Sequence, residues 1–564
     1  MSSKKHQFLT GGQAIIKLLE KEEIKYVFGL IGSATMELFD GLYNNKKIKF
    51  IDVRDERTGT HMADGYARAS NKVGVIVAGQ NGPGVTNLVT GIAQAYKAFS
   101  SVISLAGDTS LKQAGMDSFQ EIDQQQLFKA ITKKTYKIKN INRIPNIIND
   151  AFKISLSPRC GPVHINLPRD VLSKNASFGE MKKNKKIILT ASKKSDIDRI
   201  VQLLIKSKKT IIIAGGGIKH NNGQKEVAIL SKILNIPIVS SAGHGDVMPF
   251  NEKFYLGQMG PRGNKIATEN IYNADLILAL GTRLGFNSTF YSNKNINKKT
   301  KIIQVDIEKI ALGRYFPIKI GISADAKTVT KQIIDKLIGK KYITKKNLWT
   351  ENCLKERKKY LIKRDKEANL NQKPIYPSGI FKIIRETLPK NSAITLDAGT
   401  LCLQATDMLN YFKPRSLFTP LDFGLVGFSF ACGLGVKLAK PKTHVISLMG
   451  DGGFGMTISE ISTAVKFKIN TITIIMNNKS WGAEKAYQRD YYNKRYIGTN
   501  LKNPPFHKIA ELYGALGYHV TRLSQLKNIL KKSLKSKKPV IINVEVNPNS
   551  IYSFRKDSFK YKKT

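Results

Sequence analysis

Short apolar runs rich in β-branched residues recur along the chain, separated by segments long enough to be helices. They are VGVIVAG (73–79), SVISLAG (101–107), TIIIAGGG (210–217), DLILALG (275–281), KIIQVDI (301–307), HVISLMGDG (444–452) and TITIIMNN (471–478). Runs that are apolar throughout, rather than alternating, are the pattern of strands buried on both faces. Their interleaving with helical segments predicts α/β architecture with parallel sheets covered on both sides. Two Lys-rich polar stretches break the rhythm, 181–196 and 337–374. The first reads as a linker and the second as a linker carrying a solvated helix. They divide the chain into 1–182, 195–338 and 372–564, three doubly wound parallel-sheet units, in keeping with a length of 564 residues at about 150 residues per domain.

Composition narrows the class. With 41% hydrophobic and 24% charged residues, a disordered or collagen-like chain is excluded. No run approaches the roughly 18 apolar residues of a membrane helix, and the opening MSSKKHQFLTGGQAIIKLLE reads as a capped helix rather than a secretory signal. The expectation is a soluble, cytoplasmic protein with no membrane partner. The 92 Lys+Arg against 42 Asp+Glu give a net charge of +50, but the lysines are spread over the whole length. That is a compositional bias rather than a patch, so nonspecific polyanion binding at low salt is expected and a specific nucleic-acid partner is not. Cys160, Cys353, Cys402 and Cys432 are far apart with no CxxC pair, which reads as buried free thiols.

The chemistry is concentrated in a few motifs. Gly450-Asp451-Gly452 is followed, after 24 intervening residues, by Asn477-Asn478. A strand running into a Gly-rich turn at its carboxyl end stands where α/β folds place ligands. Gly453 and Gly455 let backbone amides approach a phosphate. One carboxylate and one amide oxygen at adjacent strand ends are hard ligands that suit Mg²⁺, with phosphate and water completing the shell.

These residues resemble the thiamine-diphosphate enzymes of the acetolactate synthase and pyruvate decarboxylase superfamily, and the likeness extends over nearly the whole chain. It implies a pyrimidine-binding first domain, a central domain and a diphosphate-binding third domain. Carried over, Asp451 and Asn478 bind Mg²⁺ through side chains and Ser480 through its carbonyl, while Gly450, Gly452, Gly453 and Asn477 line the diphosphate site. VRDERTGTHMADGYARAS (53–70) resembles the segment that holds the activating glutamate, and Glu56 falls on that position. Gly82, Pro83 and Asn87 lie in QNGPGVTN (80–87), similar to the loop beside the cofactor. Gln120 lies in the SFQE segment (118–121) beside the substrate. Thr400, in DAGT (397–400), opens the diphosphate-binding domain, and Val426 takes the place of the apolar wedge between the cofactor's two rings. His164, in GPVHINLPRD (161–170), reads as a core residue.

Within the superfamily, WGAEK (481–485), the Tyr492-to-Leu501 stretch, Gln80-Asn81 before GPG, and SFRKD (553–557) resemble sulfoacetaldehyde acetyltransferase. That family converts sulfoacetaldehyde and phosphate to acetyl phosphate and sulfite. Both substrates carry oxyanions that need charge-assisted donors, and Lys485, Arg495 and Arg555 are the candidates. The alternative is an acetolactate synthase catalytic subunit acting on pyruvate. That reading brings FAD to the central domain, where Gly215-Gly216-Gly217, Gly281-Thr282-Arg283 and Asp306 stand after strands; a lone GGG is weak support for it. Because Glu56 and the Asp451/Asn478 pair lie on different units, the resemblance implies a homodimer or homotetramer in which the two halves meet across a subunit contact.

Overall fold

A computed structural model describes residues 7–184, 189–261, 263–368, 370, 371 and 373–551. Three six-stranded sheets, every neighbouring pair parallel, carry the chain. In the N-terminal sheet the spatial order is Lys49–Asp52, Tyr26–Leu30, Gly74–Ala78, Val102–Asp108, Val163–Pro168, Lys134–Lys137. The C-terminal sheet runs Leu417–Phe418, Ala393–Leu396, Val445–Gly450, Ile472–Asn477, Val540–Glu545, Leu516–Val520. The central sheet runs Tyr255–Gln258, Ile238–Ser240, Thr210–Ala214, Leu276–Leu280, Lys301–Asp306, Ile320–Ser323. Each of the seven apolar runs of the sequence supplies an inner strand, because only a strand covered on both faces can bury every side chain along its length. In all three sheets the chain reverses direction early in the strand order, and in the N- and C-terminal sheets it turns back again at the last strand; the crevice at such a reversal, outside the carboxyl ends, is where open α/β sheets bind ligands.

Helix Glu56–Ser70 joins the N- and C-terminal domains. Asp55 caps it by accepting the Arg57 N–H, and it stops at Asn71 in the left-handed conformation, φ 59°, one of the few non-glycine residues that tolerate that region. Its small residues let helix Ser429–Ala439 lie against it. A Cβ on Gly65 would sit 2.3 Å from the Cys432 carbonyl oxygen, and one on Gly435 would sit 1.9 Å from that of Met62. A single hydrophobic core therefore runs across both domains, with Phe28, Met62, Tyr66 and Ile76 from one and Phe430, Leu434, Met449 and Phe454 from the other. Glu460, fully buried, adds a polar tie, accepting the Arg54 N–H at 2.8 Å and the Thr58 hydroxyl.

The central domain is pinned by charges. Lys219 Nζ reaches Asp246 Oδ1 at 2.8 Å, and Asp246 Oδ2 accepts the N–H groups of Ser416 and Leu417. The Lys-rich helix Leu348–Glu367 is less solvated than its composition suggests. Cys353 is buried in it, Arg357 stacks over Phe250 at 5.0 Å, and the Arg364 guanidinium, also over Phe250, bonds the Asp407 carbonyl. Its lysines face water while its arginines and single thiol pack inward, as long basic side chains do when their stems cover apolar surface. Cys160, Cys353 and Cys432 are free and buried. Among the described residues, no helix is long and apolar enough to cross a membrane.

Candidate active site

Strand Val445–Gly450 delivers Gly450 to the reversal point of the C-terminal sheet, and the chain turns at once into the short helix Asp451–Gly455. The next strand, Ile472–Asn477, pairs in register with Met476 opposite Gly450, which places Asn477 and Asn478 beside Asp451. All three are buried. Asp451 Oδ2 accepts the Asn503 side-chain N–H at 2.6 Å, while Oδ1 is buried without a partner. Burial pushes the Asp451 carboxyl above its ordinary pKa, and the bond from Asn503 pulls the other way. Asn478 Oδ1 accepts the Ser480 N–H at 3.3 Å, and the buried Ser480 hydroxyl has no partner. Among the described residues no group of three or more His, Cys, Asp or Glu side chains is placed to hold a metal ion by itself. One orphaned carboxylate oxygen among amide oxygens fits a hard divalent cation that takes few protein ligands.

The floor of this crevice is built of glycines against which neighbouring side chains pack. A Cβ on Gly453 would lie 2.7 Å from Asp397 Oδ2 and 3.3 Å from Val426 Cγ1, and the Trp481 indole lies against Gly452. Asp397 accepts N–H groups from Ala398 at 2.7 Å and Gly427 at 3.0 Å, fixing the loop that presents the half-buried Val426. Complete burial pushes its carboxyl up to about 7 despite those bonds. Thr400, buried, opens helix Thr400–Met408 with its hydroxyl 3.5 Å from where a Cβ on Gly482 would be.

On the N-terminal sheet, Glu56 is the first residue of its helix. Its Oε2 accepts the Asn87 side-chain N–H at 3.1 Å, and its Oε1 lies 3.1 Å from the Cβ position of Gly84. Burial raises its pKa, opposed by the Asn87 bond. Gly82, at φ +55°, turns the chain into Pro83, the first residue of helix Pro83–Lys97, and its N–H donates to Gln124 Oε1 at 3.2 Å. Asn81 donates to the carbonyls of Phe119 and Gln120, clamping the SFQE segment onto this loop. Beside Glu56 runs a chain of neutral donors: the Ser33 hydroxyl donates to Gln80 Oε1 at 3.1 Å, and Gln80 Nε2 donates to Gln120 Oε1 at 2.6 Å. His164 is a core residue, held by Ser104 and Asn166, stacked on Phe128 at 3.8 Å and lowered to about 4 by burial.

The sequence-derived residues thus fall into two sets, one at the end of each sheet. Among the described residues no hydrogen bond joins Glu56 to Asp451, Asn477 or Asn478. Lys485 stands near the second set, its Nζ bonded to Asn500 Oδ1 at 2.9 Å and 5.5 Å above the Tyr496 ring. Arg495 is exposed, with its Nε on the Tyr492 carbonyl at 3.3 Å. Arg555 lies outside the described residues. Asn503, Ser33 and Glu460 carry no motif in the sequence, and only tertiary contact brings them to the site.

Two nucleotide-type crevices with glycine floors and a buried glutamate at a helix start define a class, and the comparisons agree with it. The chain matches the N-terminal TPP binding domain of thiamine pyrophosphate enzymes over residues 9–127, the central domain over 197–333 and the C-terminal TPP binding domain over 397–544. It belongs to the thiamine pyrophosphate enzyme family, in the acetolactate synthase superfamily, and thiamine diphosphate is its cofactor. Among particular relatives, it is 33% identical over 553 residues to a probable acetolactate synthase large subunit of Methanocaldococcus jannaschii, covering 96% of this chain and 92% of that protein. It is 30% identical over 581 residues to sulfoacetaldehyde acetyltransferase of Alcaligenes xylosoxydans xylosoxydans, covering 98% and 95%. It is 32% identical over 535 residues to the acetolactate synthase large subunit of Buchnera aphidicola subsp. Schizaphis graminum, covering 94% and 93%.

Proposed function

We propose that the protein is an acetyltransferase that converts sulfoacetaldehyde and phosphate to acetyl phosphate and sulfite. The observation that carries this reading is the Ser33–Gln80–Gln120 donor chain beside Glu56, together with the relatives of that activity. The Ser33 hydroxyl orients the Gln80 amide, and the remaining amide N–H groups of Gln80 and Gln120 can hold a sulfonate without neutralising the nearby carboxylate, which must stay free to exchange a proton. Lys485, steered by Asn500, supplies the cation that a phosphate acceptor needs.

In this reading Asp451 Oδ1, Asn478 and the Ser480 carbonyl hold Mg²⁺, and Gly450, Gly452, Gly453 and Asn477 receive the diphosphate. Thr400 and Val426 flank it, and Gly82, Pro83 and Asn87 line the pyrimidine side. Bound there, the cofactor supplies a nucleophilic carbon and a sink for the electrons of the substrate's carbon skeleton. Glu56 holds a proton at the aminopyrimidine through Oε1, its other oxygen being occupied by Asn87. Its raised pKa brings proton exchange nearer to working pH. Gln120 orients the aldehyde, and Arg495 and Arg555 remain candidate oxyanion donors.

The two sets of residues belong to one site if a second copy supplies the missing half, so the active species is a homodimer or homotetramer. Exposed apolar residues rim both halves: Met116 at 71% and Phe119 at 82% on one, Ile497 at 81% on the other. A second subunit would cover them. The domain limits of 1–182, 195–338 and 372–564, and a cytoplasmic location, belong to the same reading. FAD does not. The Gly215–217 loop is packed on Gly281, and the His244 ring covers Gly216.

Acetolactate synthesis from pyruvate is the second reading, favoured by the similarity to the acetolactate synthase large subunits. One assay separates the two. Purified protein with thiamine diphosphate, Mg²⁺ and phosphate is given sulfoacetaldehyde or pyruvate, and sulfite, acetyl phosphate and acetolactate are measured. Sulfite with phosphate-dependent acetyl phosphate is the expected result; acetolactate without sulfite would replace the reading with the second.

A further inference from the structure

We infer that Asn503 is a positioning residue that sets how Asp451 meets the divalent cation. This rests on the assignment of Asp451 as a metal ligand made above. The Asn503 side chain donates from Nδ2 both to Asp451 Oδ2 at 2.6 Å and to Asn477 Oδ1 at 3.2 Å. Chemistry fixes the direction of each bond. The ionised carboxylate only accepts, and Asn477 Oδ1 also accepts the Lys479 N–H at 3.1 Å while Asn477 Nδ2 donates to Asn543 Oδ1 at 3.1 Å. The result is a polar chain, Asp451–Asn503–Asn477–Asn543, that ties three neighbouring strands together through one loop residue.

The loop that carries Asn503 is held at both sides. Upstream it straps the turn bearing the second ligand: Trp481 N–H donates to the Thr499 carbonyl at 2.8 Å, and Leu501 N–H donates to that of Lys479 at 2.9 Å. Downstream, Pro504 and Pro505 stiffen the chain. Phe506 is then buried edge-on against Phe454 at 5.2 Å, on the helix that begins with Asp451 itself. Asn503 is therefore fixed relative to Asp451 by packing as well as by its own bond.

The consequence is chemical. With Oδ2 occupied, Asp451 offers a cation only its buried, unpartnered Oδ1, a monodentate contact. Mg²⁺ demands a compact octahedral shell, whereas the larger Ca²⁺ accepts bidentate carboxylates in a looser one. Groups that orient a metal ligand from behind are worth about 10–100-fold in metal affinity. Freeing Oδ2 weakens Mg²⁺ binding and lets Asp451 chelate Ca²⁺ through both oxygens.

The test titrates MgCl₂ or CaCl₂ into the full-length protein at fixed thiamine diphosphate, following the fluorescence of Trp481. The Trp481→Phe variant assigns the signal against Trp349. Asn503→Ala and the nearly isosteric Asn503→Leu are compared with wild type, alongside the melting temperature of each without ligands. The expected result is a half-saturating Mg²⁺ concentration raised about 10–100-fold in both variants, recovered at excess Mg²⁺, a smaller loss for Ca²⁺, and an unchanged ligand-free melting temperature. Equal Mg²⁺ and Ca²⁺ titrations in wild type and both variants would overturn the inference, as would a loss that is the same for both cations and follows a lowered melting temperature. A wild-type protein whose thiamine diphosphate signal ignores divalent cations would instead overturn the metal assignment on which it rests.

Discussion

The Glu460 carboxylate accepts the backbone N–H of Arg54 at 2.8 Å, reaching from the C-terminal domain to a residue two places before Glu56. The same carboxylate receives the hydroxyls of Thr58 and Thr463, so a single buried group holds the start of the Glu56 helix. Glu460→Gln keeps the size but removes acceptor capacity from a site that uses both oxygens. Loss of a buried charge-assisted network costs about 1.5–3 kcal/mol per bond. The melting temperature should fall, and kcat should fall more than the thiamine diphosphate affinity does. A melting curve and kinetics identical to wild type would refute this role.

Glu56→Gln retains the Asn87 contact geometry but cannot exchange a proton. Turnover should drop by about 10²–10⁴-fold, the usual contribution of a positioned acid or base, with thiamine diphosphate still bound. Calorimetric titration of the cofactor beside steady-state assays checks both halves of the statement. Retention of most of the activity would remove Glu56 from the mechanism.

The helix crossing at Gly65 and Gly435 leaves no room for a methyl group, since each Cβ would fall against a carbonyl oxygen of the other helix. Gly435→Ala should destabilise the chain by roughly 1–3 kcal/mol, the range for overpacking a dense core, and chemical denaturation measures it. Gly399→Ala offers a contrast, because nothing lies within 4 Å of its Cβ. Its φ of +118° makes backbone strain, and not crowding, the source of any loss.

Asp397 binds a proton more tightly folded than unfolded, being pushed from 3.8 up to about 7 by burial. Where the native state holds more protons, stability falls as pH rises. The Asp397 contribution is therefore fully present below about pH 4, is lost progressively up to about pH 7, and is constant above that. Asp397→Asn should flatten the pH dependence of the melting temperature within that window. An unchanged slope between pH 4 and 7 would show that the carboxyl is ionised throughout.

Much of this arrangement is legible in the sequence because it is local. Each of the seven apolar runs supplies an inner strand, and the Asp451 and Asn477–Asn478 motifs sit at strand ends where register alone brings them together. Asn503 lies 25 residues beyond Asn478 in a stretch whose only visible features are two prolines, and its partners are defined by how a loop folds back. Glu460 meets Thr58 across 402 positions of chain, and Ser33 meets Gln80 across 47; no periodicity or spacing encodes either. The helix Leu348–Glu367 reads as solvated because lysines dominate its composition, whereas Arg357, Arg364 and Cys353 decide its packing.

The core shared by Met62 and Tyr66 with Phe430 and Leu434 bears on how the protein is made. At about 5–20 residues per second of synthesis, the N-terminal sheet is complete on the order of tens of seconds before the helix that covers it leaves the ribosome. Throughout that interval the nascent chain carries an uncovered apolar flank on helix Glu56–Ser70, a ready target for holdase chaperones. Maturation therefore includes a docking of the first domain against the third, across the whole of the central domain in sequence.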